Sequence, residues 1–178
     1  MARFVADTSA LASFGTVVTH EENPLDVLLG AHDVSVPEQV VSELRETATY
    51  EDQSGIAARA VLDRLSTLAV HATELDESFP LVDGENAVVT LANSLDATHV
   101  LCDEFNRLAI VHASLADTRL VTTPTLLLVL VRNGLLAPAD AVDFLSEVSE
   151  ARSWETNAYV VRAKTTLQRE LEPPTDHG

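Results

Sequence analysis

Cysteine is almost missing from this chain: Cys102 is the only one in 178 residues. That excludes an internal disulfide and a cysteine-rich zinc site. The six histidines are scattered and form no HxxxH pair. Lysine is as scarce, with Lys164 alone, and 28 acidic residues stand against 11 basic ones. Such a surface repels nucleic acid at ordinary ionic strength, because phosphate binding draws on Lys and Arg. Long apolar runs are absent too. The longest, Leu126 to Val131, is far too short to span a bilayer. The N-terminus opens without the basic start and extended apolar stretch of a secretion signal, so a cytoplasmic protein with no membrane association is expected. Neither GxGxxG nor GxxxxGK occurs, which counts against the common nucleotide-binding loops.

An apolar fraction of 46% over this length is enough for a folded core. Short runs rich in β-branched residues recur at "RFVAD", "HDVSVP", "TLAVHA", "THVLCDE" and "RLVTTP" and read as five strands. Helical spacing fills the gaps at roughly 10–20, 24–30, 38–49, 53–66, 84–95, 104–114 and 124–133. Apolar strands alternating with helices imply a mostly parallel sheet covered on both faces, an α/β fold of three layers. Gly134 can close a helix, and beyond it two further helices are expected. Pro138 suits the start of the first. Ser153 and Thr156 offer capping chemistry for the second, which carries Trp154, Ala158 and Val161 at helical spacing. The expected organisation is a domain over 1–136, a helical pair over 137–172 packed on it, and a tail over 173–178.

Four acids stand where chemistry could use them. Asp7 ends the first strand and is followed by Thr8 and Ser9. A carboxylate at the mouth of a buried strand is where open α/β sheets place ligands, although Asp, Thr and Ser are equally ordinary helix N-cap residues. Asp103 ends "THVLCD" and mirrors Asp7. Glu43 lies in "PEQVVSELRE", bordering the stripe of Val40, Val41 and Leu44, whereas Glu38 and Glu46 face solvent. Glu85 lies in the first turn of "DGENAVVTLA", whose inward face is Ala87, Val88, Leu91 and Ala92. An acid in a first turn also suits the helix dipole. Gathered together, such groups would suit Mg²⁺ or Mn²⁺, hard cations that prefer carboxylate and water oxygens. Arg107 follows Asp103 by one helical turn if a helix starts at Glu104, as a phosphate contact or as an ion-pair partner for one of the acids. Cys102 reads as a small buried core residue.

The segments "FVADTSAL", "VPEQVVSEL", "DGENAVVTLA" and "VLCDEFNRLA", in this order, resemble the PIN-domain family of metal-dependent ribonucleases, many of them toxins of toxin–antitoxin pairs. The later "LLLVLVRNGLL" and the two helices after it are similar to an uncharacterised PIN subgroup described as predicted nucleic-acid binding. The resemblance implies a PIN-like α/β/α fold and endoribonuclease activity with Mg²⁺ or Mn²⁺. It makes Asp7, Glu43, Glu85 and Asp103 the acidic cluster, Asp7 and Asp103 holding the principal metal. Glu85 completes its shell or orients a bound water, and Glu43 binds directly or through water. Ser9 helps at the first mouth, and Arg107 touches RNA. It also implies an RNA substrate, an antitoxin partner if the protein is a toxin, and a homodimer. The alternative is a catalytically silent PIN-like module that binds nucleic acid or serves as a scaffold. One departure stands out. Many relatives supply another acid after the last strand, where "LVTTPTL" offers Thr122 and Thr123, with Glu104 nearby as a substitute. The acidic surface fits a protein from a salt-accumulating microbe, where a Debye length of about 3 Å at 1 M salt screens its repulsion of RNA.

Overall fold

The computed structural model describes residues 1–172; the tail expected over 173–178 lies outside the described residues. Five strands form, β1 (Arg3–Ala6), β2 (Asp33–Pro37), β3 (Ala69–His71), β4 (His99–Leu101) and β5 (Arg119–Val121). All pair in parallel, in the order β3-β2-β1-β4-β5. Between them lie α1 (Thr8–Gly15), α2 (Pro24–Ala31), α3 (Glu38–Thr47), α4 (Gln53–Leu62), α5 (Asp83–Ser94) and α6 (Leu108–Ser114). After β5 come α7 (Thr123–Arg132), α8 (Pro138–Arg152) and α9 (Ala158–Leu171). Among the described residues no helix is long and apolar enough to cross a membrane.

The chain falls into two compact units, Met1–Thr123 and a second that begins at Pro124. The first is the three-layer α/β/α fold expected of the sequence. Right-handed crossovers send the helices between β1 and β3 to one face and those between β3 and β5 to the other. On the first face α1, α3 and α4 pack together, and on the second α5 packs with α6. Both faces bury apolar side chains, Leu11, Phe14, Val40, Leu44 and Val61 from one set of helices and Val88, Val89 and Ala92 from α5. Each large one contributes about 2 kcal/mol by leaving water. In the second unit α8 packs against α9, and Leu145, Val148, Val160, Ala163 and Leu167 are buried.

Three local expectations need correction. The segment from Phe105 to Arg107 is a turn rather than helix: Phe105 N–H donates to Asp103 O at 2.9 Å and Arg107 N–H to Glu104 O at 2.8 Å. Helix α6 therefore starts at Leu108, with Arg107 as its N-cap residue. At the end of α8, Ser153 adopts φ 56° and terminates that helix instead of opening the next. The cap of α9 is Asn157, whose Oδ1 accepts from Tyr159 N–H at 2.9 Å and from Val160 N–H at 3.4 Å. Trp154 thus precedes the helix, Ala158 and Val161 are exposed, and the inward stripe is Val160, Ala163 and Leu167. Gly134 does close α7: at φ 70° its own N–H reaches Val131 O at 2.9 Å, and Leu135 N–H reaches Leu130 O at the same distance. Only glycine takes that backbone region without strain.

Candidate active site at the mouths of β1 and β4

The sheet order reverses between β1 and β4, because the chain leaves β1 toward β3 in one direction and returns to β4 on its other side. In open parallel sheets the crevice at such a switch point, beyond the carboxyl ends of the strands, is where ligands bind. Register fixes what stands there. Ala6 pairs with Leu101, and the Asp7 N–H extends the ladder by donating to Leu101 O at 2.8 Å. Asp7 therefore faces Cys102, and Asp103 lies one residue farther out.

Asp7 occupies the N-cap position of α1, but its side chain does not cap the helix. Its Oδ2 instead accepts from the Ser9 hydroxyl at 2.8 Å and from the Cys102 thiol at 3.4 Å. The ordinary capping role is thus not what this carboxylate does. Burial, with only 5% of the residue exposed, pushes the Asp7 pKa from 3.8 up to about 6, and the nearby Glu43 charge adds to the rise against hydrogen bonds from Ser9 and Cys102. Burial first and the Asp7 charge second push the Cys102 thiol up as well, so it stays protonated and inert.

Ser9 ties the two mouths together. Its Oγ donates to Asp7 and accepts the Asp103 N–H at 3.0 Å. Both carboxylate oxygens of Asp103 accept hydrogen bonds from Thr123. Thr123 gives its N–H to Oδ1 at 2.7 Å and its hydroxyl to Oδ2 at 2.6 Å. Thr123 is the site residue that sequence reasoning passed over, since it was seen only as the place where an acid was missing. The signal for it was a hydroxyl at the start of a helix, directly past a strand end.

Glu43 comes from α3, and its Oε2 accepts from the Thr8 hydroxyl. It also lies against Gly84, where a Cβ would collide with the carboxylate. Gly84 thus leaves room for the Glu43 carboxylate in its present position, next to Glu85 in the chain. Glu85 is 6% exposed. Its Oε1 accepts from Arg107 Nε at 2.6 Å, and its Oε2 is buried without a hydrogen-bond partner. An acceptor left in that state costs about 1–3 kcal/mol, more for a charged group, so it marks a place for a cation or donor. The paired Glu85 carboxylate holds the Arg107 guanidinium above its ordinary pKa. Glu104 is exposed, and its charge acts on Arg107.

The sequence-derived acids thus form a connected series, Glu43 to Thr8, Asp7 through Ser9 to Asp103, and Glu85 beside Gly84. Among the described residues, no three carboxylate, histidine or cysteine side chains converge into a cage able to hold an ion alone. The donors fit a hard divalent ion nevertheless, because Mg²⁺ takes one or two carboxylates and completes its shell with waters and substrate phosphates. The orphaned Glu85 Oε2 and the electrostatically stressed Asp7 are oxygen donors of that type.

No curated protein matches this sequence. A family model described as a PIN domain does, over residues 3–168. PIN domains are in general nucleases and typically use divalent metal ions. The match takes in both strand mouths and nearly the whole chain, so the protein belongs to the PIN-domain family.

Proposed function

We propose that the protein is a Mg²⁺- or Mn²⁺-dependent endoribonuclease working from the mouths of β1 and β4. The observation that carries this reading is Asp7, a buried acid at the switch point, raised to about 6 and linked to Asp103 through a single hydroxyl. Burying a carboxylate without a cation is unfavourable, which supports a cation at this place.

Asp7 and Asp103 would hold the ion, with Glu85 orienting a bound water through Oε2 and Glu43 reaching the ion through water. Bound there, the ion would supply an activated water and a counter-charge for the leaving oxygen. The residues of the chain do the rest. Ser9 fixes the spacing of the two aspartates, and Thr123 holds the rotamer of Asp103. Arg107, partly exposed beside Glu85, offers its guanidinium to an RNA phosphate. If the protein is a toxin, an antitoxin partner would cover this crevice, and a homodimer is the expected assembly. The formal charge of −17 supports a chain adapted to a salt-rich cytoplasm, where screening lets RNA approach.

A second reading, a silent module that binds RNA without cutting it, is favoured by Thr123 standing where an acid is expected. One assay separates them: total tRNA and rRNA incubated in high-salt buffer with Mn²⁺, for wild type and Asp7→Asn. Metal-dependent cleavage lost in Asp7→Asn is expected. Equal cleavage by both proteins refutes the role of Asp7, and a wild type that neither cleaves nor shows a thermal shift with Mn²⁺ leaves the silent module.

A further inference from the structure

We propose that Arg107 is the second cation of the site, so that the protein works with a single divalent ion. The inference rests on the nuclease reading above and adds to it how the charge of the reacting phosphate is shared. Phosphodiester hydrolysis with two ions uses one on the attacking oxygen and one on the leaving oxygen. Here Arg107 can supply the second positive charge. The Arg107 Nε sits 2.6 Å from Glu85 Oε1, and Glu85 is nine-tenths buried while the arginine side chain is 38% exposed. The guanidinium therefore joins a buried acid to solvent.

Only its Nε is hydrogen-bonded among the described residues, which leaves both terminal nitrogens for a phosphate. A planar guanidinium can serve two anions at once, one along its Nε edge and one at its terminal nitrogens. Other arginines are committed elsewhere, Arg64 to Asp26 and Arg132 to Glu170. Glu85 Oε2 has no partner and can still serve the divalent ion, so this one carboxylate connects the two cations.

The opposite side of the site argues the same way. A second divalent ion needs a further carboxylate to offset its charge, and the two residues after β5 are Thr122 and Thr123, the latter hydrogen-bonded to both oxygens of Asp103. It would also have to sit beside a fixed positive charge. Arg107 stays protonated throughout, and no bond to it forms or breaks; it neutralises charge that develops on the phosphate and leaving oxygen.

The test counts ions and turnover separately. Mn²⁺ is titrated calorimetrically into the full chain, and RNA cleavage is followed for wild type, Arg107→Ala and Arg107→Lys. The expected result is one Mn²⁺ per chain in the wild type and a first-ion affinity in Arg107→Ala that is no weaker. Turnover in Arg107→Ala should fall about 100-fold, with partial recovery in Arg107→Lys or on adding methylguanidine. Two Mn²⁺ ions per wild-type chain, or wild-type kcat in Arg107→Ala, overturns the proposal while leaving the nuclease reading intact. A wild type that binds no Mn²⁺ overturns both.

Discussion

The mouths of β1 and β4 hold equivalent aspartates in opposite circumstances. Asp103 is satisfied: an amide and a hydroxyl of Thr123 occupy both its oxygens. Asp7 is stressed, accepting from a hydroxyl and a weakly donating thiol while burial and Glu43 push it up to about 6. Two carboxylates at matching strand ends thus differ in what they lack. Asp103 is held by an amide and a hydroxyl, whereas burial works against the charge of Asp7. If the proposed ion binds here, Asp103 would act as the fixed post and Asp7 would gain most from the added charge.

The largest expected effect breaks both sides of the comparison together. Asp7→Asn and Asp103→Asn should each lower Mn²⁺-dependent RNA cleavage by about 1000-fold or more, measured with purified protein in high salt. Comparable loss from the two would show that both acids serve the reaction despite their different surroundings.

Stability then separates them. The folded-state pKa of Asp7 lies above the value of 3.8 it has when unconstrained, so the unfolded chain releases this proton first. Its contribution is present below about pH 4, is lost as pH rises through about 6, and amounts to about 3 kcal/mol of destabilisation at neutral pH. In metal-free protein, Asp7→Asn should accordingly raise the melting temperature at pH 7 and flatten the stability profile between pH 4 and 6. A buffer series of thermal melts reads both. Added Mn²⁺ should recover the lost stability in the wild type but not in the variant.

The satisfied side should respond in the other direction. Thr123→Val removes one donor from Asp103 and should cost about 1–3 kcal/mol in a denaturant melt, with the pH profile of Asp7 unchanged. If it moved that profile, the two mouths would not be electrostatically separate. The smallest effect lies away from the site: Asn157→Ala should cost about 1 kcal/mol through the α9 cap and leave RNA cleavage untouched.

Much of the frame is legible in the chain itself. All five strands coincide with β-branched runs, and the acids at their ends follow from where those runs stop. Helices shifted where capping decided the boundary. Asn157, rather than Ser153, opens α9, because Ser153 takes a left-handed conformation that no pattern of apolar residues reveals. A turn over Phe105–Arg107 likewise displaced the start of α6, yet Arg107 still reached an acid. The position of α7 is a similar case, since its run of apolar residues says that it is buried without saying with which unit it groups.

Residue order alone determined the alternation of strands and helices, the excess of acid, and the four carboxylates worth watching, since each depends on local periodicity and composition. Tertiary structure decided the pairings: Thr123 on Asp103, Arg107 on Glu85, Ser9 between the aspartates, and a glycine that admits Glu43. These contacts join residues far apart along the chain, and whether a carboxylate is satisfied or stressed depends on which neighbours folding brings within hydrogen-bond reach.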